Sequence, residues 1–161
     1  MEGKRKKRLK DLEKGQTAKI GDRFVIAVCA AIGSGHFVTS QNALQAVFPM
    51  GDRQVNVDVR TNEISDGGFS YRASIARANP DAEPIPTTAF LDHTYAGISA
   101  LLFWETPFVY DMADLGRHYS TIHNHKAEAP LERGWWGSGN EYWAEPTATK
   151  LLIHSKRLGG V

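Results

Sequence analysis

"FVIAVCAAI", residues 24–32, is an unbroken apolar run, and its reading decides what the rest of the chain packs against. It is too short to span a bilayer. The basic run "KRKKRLK" (4–10) ahead of it gives a faint likeness to a secretory leader. Asp11, Glu13 and Asp22 interrupt that leader and no A-x-A-like cleavage site follows, so with Met1 in place nothing is expected to be removed. The run therefore reads as the buried part of a helix over 18–32, with Phe24, Val25, Val28 and Ile32 facing a core and "GSG" (33–35) as its stop. Cys29 falls inside it and is expected to behave as a small apolar residue of that helix. A lone cysteine can make neither an internal disulfide nor a cysteine-based zinc site.

Downstream, "SQNALQAVF" (40–48) has helical spacing at Leu44, Val47 and Phe48, with Ser40 as a cap. The period then changes. "QVNVDVR" (54–60) alternates strictly, which predicts a half-buried antiparallel strand with Val55, Val57 and Val59 on one face. "FSYRASI" (69–75) alternates again, and the turn signal "SDGG" (65–68) between the two runs predicts a hairpin with a long loop. "ANPDAEPIPTT" (78–88) is a proline-rich loop. In "AFLDHTYAGISALLFWE" (89–105) the first half suits a short helix with Leu91, Tyr95 and Ile98 on one stripe, while "ALLFWE" fits a buried strand or a helix equally well. Thr106 and Pro107 open another short helix, closed by Gly116, with Phe108, Met112 and Leu115 on one face. A last helix is expected from Pro146, with Leu151, Leu152 and Leu158 apolar. Length and pattern together predict a basic N-terminal extension over residues 1–15 and one α+β domain over 16–161. Its expected parts, read from the pattern, are an N-terminal helix, an antiparallel hairpin, short helices after it, and a C-terminal helix.

The net charge of +1 points to no class of partner, but its distribution is uneven. Lys4, Arg5, Lys6, Lys7, Arg8 and Lys10 could meet nucleic-acid phosphates, or form a solvated helix end. "HNHKAE" offers His123, His125 and Glu128 as a two-histidine-plus-carboxylate set with open metal positions. The order Gly116, His123, His125, Glu128, Gly134 resembles the first cupin motif, although the spacings differ and the later histidine, His154, lies in a helical pattern. No G-x-S-x-G, phosphate-cradling glycine loop or H-E-x-x-H is present. The cluster "WWGSGNEYW" holds Trp135, Trp136, Tyr142 and Trp143, which suits packing under a loop, a subunit interface, or stacking on bases or sugars.

The order of these features resembles the neck or tail-completion proteins of tailed bacteriophages, the small head–tail connector proteins of lambda-like viruses. The likeness rests on the arginine-containing "YRASI" (71–75), the proline-rich loop after it, "TPFVYDMADLGRH" (106–118), the Ala129–Pro130 step with Gly134 in a mobile loop, and a closing helix. It spans about residues 18 to 158. The chain departs from that pattern in its histidine-rich insert, in its tryptophan cluster, and in "TNEISDGG" where the family has a threonine-proline-aspartate-threonine-glycine signature. The resemblance implies a small twisted antiparallel sheet with a short helix packed on it, and a non-enzymatic virion protein with no cofactor, assembled in the host cytoplasm. It would form a ring of six copies between the head connector or head-completion protein and the tail terminator or tail tube. Phe108, Tyr110, His118, Trp135, Trp136 and Trp143 are then expected at subunit interfaces, and the basic start beside passing DNA. Membrane contact is not expected. A metal-dependent enzyme using His123, His125 and Glu128, and a nucleic-acid-binding module, stand as the alternatives.

Overall fold

A computed structural model describes residues 2–14, 19, 21–30, 38–105, 118–148 and 150–159. The fold is α+β, built on one mixed five-stranded sheet. Helix α1 (Glu2–Lys14) precedes strand β1 (Val25–Ala30), helix α2 (Ser40–Val47) and the strand pair β2 (Met50–Val57) and β3 (Ile64–Tyr71). A two-residue ladder joins β4 (Ser74–Ile75) to β5 (Ile85–Pro86), and two 3-10 turns follow at Ala89–Leu91 and His93–Tyr95. Strands β6 (Ala100–Glu105), β7 (Tyr119–His123), β8 (Gly139–Pro146) and β9 (Leu151–Leu158) complete the sheet in the order β1-β6-β7-β8-β9. Among the described residues no helix is long and apolar enough to cross a membrane.

The opening apolar run is a strand, not the helix expected over 18–32. β1 runs parallel to β6, from Val25 opposite Ala100 to Ala30 opposite Glu105. β-Branched residues at 25, 26 and 28 fit an extended backbone better than a helical one. As the outer neighbour of β6, β1 buries Ile26 and leaves Val28 and Cys29 exposed, so Cys29 is not the buried helical residue expected. The "GSG" stop lies outside the described residues. "ALLFWE" resolves as the strand β6, whose first four residues are all buried, which is why it reads as a continuous apolar run.

The core lies on one face of the sheet. Ile26, Leu101, Phe103, Ile122 and Ala144 point to it, and α2 covers them with Ala43, Leu44 and Val47. Phe48 and Phe90, both fully buried, meet edge to face at 5.9 Å between ring centroids. α2 forms where its spacing predicts, but its cap is Thr39 and not Ser40. The Thr39 N–H donates to Asn42 Oδ1 at 2.9 Å, and the Ser40 N–H is taken by the Glu105 carboxylate. The two 3-10 turns replace the short helix expected in the first half of 89–105.

Parallel pairs need crossover connections. That between β1 and β6 contains α2 and the β2–β3 hairpin; that between β7 and β8 is the helix-free loop 124–138. Buried Asn124 shapes this loop: its Nδ2 donates to Ile98 O at 2.8 Å and Tyr95 O at 3.0 Å, and its Oδ1 accepts from the Lys126 N–H. Ser99 Oγ donates to Ala129 O at 2.6 Å and Arg23 Nε to Pro130 O at 3.1 Å, so the Ala129–Pro130 step is tied to the body by hydrogen bonds.

The C-terminal segment is also strand where a helix was expected. β8 ends at Pro146, a turn closes with the Thr147 N–H donating to Lys150 O at 2.8 Å, and β9 returns antiparallel from Leu151. Leu151 and Ile153 pack against the core, so the true period is two. The start of β8 needs glycine: Gly139 has φ +87°, and a Cβ there would come within 2.5 Å of Tyr119 O.

Candidate functional site

β2 and β3 form the expected antiparallel hairpin, but its turn and its burial both differ from the sequence reading. The turn is 58–63. Asp58 Oδ1 accepts from the Arg60 and Thr61 N–H groups, and Asn62 adopts φ 57°, a conformation that asparagine tolerates. "SDGG" lies within β3 as a bulge. There Asp66 Oδ1 accepts from the Gly68 N–H, and that bond, with Arg53 at 3.0 Å, holds the Asp66 carboxyl below the usual carboxylate range.

The valine face expected to be half-buried is open: Val55 is 60% exposed, Val57 53%, and Ile64, opposite Val57, 72%. Val59 stands in the turn, almost fully exposed. The hairpin is held at its base, where Met50 is buried, Gln45 Nε2 donates to Gly51 O, and the Arg72 N–H donates to Pro49 O. Alternation identifies a face that wants cover. It does not say whether the chain itself provides it.

The second face of the sheet lies under the loop 124–138 and carries a polar cluster beside Ala100 and Leu102. Thr121, His123 and Glu141 are buried there. Glu141 Oε1 accepts from the Gly134 N–H at 2.6 Å and faces His123 Nε2 at 3.2 Å, which pins the loop to β7 and β8. Glu141 Oε2 is buried and has no hydrogen-bond partner among the described residues. Sequence reading missed this pair because Glu141 is in the tryptophan cluster, eighteen residues from His123.

The three histidines quoted for a metal do not work together. His123 turns to Glu141 across the sheet. His125 sits in the following turn, half-buried, where burial first and then the charges of Lys126 and His93 push its pKa down. The Glu128 side chain is exposed, and its backbone N–H donates to Ala96 O. His154 lies on β9, stacked on Trp143 at 5.4 Å with Nε2 3.0 Å from Glu145 Oε2, not on a helix. Among the described residues no group of three or more His, Cys, Asp and Glu side chains could hold a metal ion.

The proposed interface residues divide. Phe108 and Tyr110, with all of "TPFVYDMADLGR" (106–117), where a helix was expected, lie outside the described residues. His118 is half-buried just before β7. Trp135 and Trp136 stand well exposed in the loop, at the end of an aromatic chain that runs from Trp104 through Tyr119 to Trp136. Trp143 is half-buried under the Arg133 guanidinium, 4.2 Å from its ring centre.

The basic run forms most of α1. Lys4, Lys6, Lys7 and Lys10 are exposed, while Arg5 turns to the body, with Nη1 3.5 Å from Thr94 O and its guanidinium 5.8 Å from the Tyr95 ring centre. Arg8 is on the same helix.

No known family, curated protein or solved structure matches the chain.

Proposed function

We propose that this chain is a non-enzymatic structural protein that works by assembly, as a subunit of the head–tail junction of a tailed virus. Six copies close into a ring that joins the head connector to the tail tube and surrounds the DNA channel. The observation that carries the assembly reading is the β2–β3 hairpin, whose Val55, Val57 and Ile64 side chains all stand in solvent. Apolar side chains grouped on one exposed strand face suit a surface that a partner covers. Exposed Trp135 and Trp136 add the residue type that anchors protein interfaces. The lysines of α1 suit the wall of a channel through which DNA passes. The order of sequence features supplies the place in the particle.

The place is tested on purified virus particles from a host that expresses this chain. Peptide mass spectrometry is expected to find it in the particle, and antibody labelling in electron micrographs to place it at the neck. A chain confined to the host cell lysate and missing from tailed particles would overturn the reading.

A further inference from the structure

We propose that the β2–β3 hairpin of one copy docks on the free edge of β9 of the next, extending its sheet by strand addition. This rests on the assembly reading above and names the surfaces that would carry it.

Three observations converge. First, both partners offer unpaired strand edges: among the described residues β2 and β3 pair only with each other, and β9 pairs only with β8. An exposed strand edge is a template for another strand. Second, a groove of about 780 Å³ runs between β3 and the start of β9, lined by apolar Phe69, Tyr71, Leu151 and Ile153 and by the charged Asp66 and Lys150. An apolar alternating strand such as Val55–Val57 places every second side chain into such a groove. Third, the charges are complementary. The hairpin carries Asp52, Asp58, Glu63 and Asp66 against Arg53 and Arg60, whereas β9 and its leading residue carry Lys150, Lys156 and Arg157 with no acid. Like charges would repel two hairpins or two β9 edges; hairpin on β9 is the attractive pairing.

Hairpin and β9 edge are different surfaces of one chain, so the contact is heterologous. Such contacts close into rings when the rotation permits. A symmetric two-fold dimer is not expected.

The test uses the full chain with Cys29→Ser. Val57→Cys protein is mixed with Ser155→Cys, Lys156→Cys or Arg157→Cys protein, diluted, reconcentrated and oxidised. At least one mixture is expected to give a disulfide-linked dimer, with neighbouring β9 positions differing because successive side chains face opposite ways. Each variant alone is expected to stay unlinked. In parallel, Val57→Asp with Ile64→Ser is expected to weaken self-association at least tenfold in sedimentation velocity while leaving the far-ultraviolet circular dichroism spectrum of the folded chain unchanged, because both positions are exposed.

Linkage of Val57→Cys protein with itself would mean hairpin-to-hairpin pairing and overturn the proposal. Unlinked mixtures together with undiminished association of the Val57→Asp, Ile64→Ser variant would overturn it too, and leave assembly standing on another surface. A wild-type chain that is monomeric at every concentration would overturn both readings.

Discussion

Replacing Phe90 by alanine is expected to cost about 4 kcal/mol of folding stability, in the range for truncating a buried aromatic side chain. Phe90 is fully buried and belongs to a 3-10 turn of three residues, which has little stability of its own. The side chain therefore holds the turn in place. Its edge-to-face contact with Phe48 adds about 1 kcal/mol to what burial alone provides. At this chain length the midpoint of thermal unfolding should fall by about 10 °C. Phe90→Leu keeps much of the volume and should lose clearly less. Equal losses for alanine and leucine would mean that the site is not close-packed.

Glu141→Ala is expected to cost about 3 kcal/mol, because it strips the partner from the Gly134 N–H and from buried His123 at once. The apolar alanine also leaves space at a position that is 1% exposed. Glu141→Gln separates hydrogen bonding from charge. Its amide oxygen can keep the Oε1 contacts, and its NH2 occupies the place of an oxygen that has no partner among the described residues. Glutamine is therefore expected to stay within about 1 kcal/mol of wild type. Urea unfolding of the three proteins at pH 7 decides the matter. A glutamine variant as unstable as alanine would mean that the carboxylate charge, not the hydrogen bonds, holds the loop.

These two sites differ in how far the sequence announces them. The α+β class is legible because "QVNVDVR" and "SQNALQAVF" carry different periods: α2 forms over the second, and β2 takes in the first as far as Val57, where the turn begins. The errors have one physical origin. Among the described residues Val25–Ala30 and Leu151–Leu158 are the outer strands of the sheet, each paired on one side only. Such strands blur the alternation that marks a two-sided environment: Leu151, Leu152, Ile153 and His154 are all half-buried, so no period stands out. A short apolar run is compatible with helix or strand, and only its neighbours decide.

The site is less legible than the fold. His123 is conspicuous in sequence, but its company there, His125 and Glu128, is local, and the strand sends its side chain across to Glu141. Pairing between strands is non-local, and no spacing rule reports it. The hairpin gives the opposite lesson. Its alternation at Val55 and Val57 is plain and its strand is real, yet the inference that its apolar face is half-buried fails for the isolated chain. If a second copy covers that face, the pattern is correct for the assembly.

Native mass spectrometry of the purified full chain, with metal neither added nor chelated, tests the central claim most directly. The account expects a closed species of six subunits with no bound metal, unchanged in the His123→Ala, His125→Ala double variant if that variant folds. A monomer at every concentration, or a stoichiometric metal ion that disappears in the double variant, would contradict it.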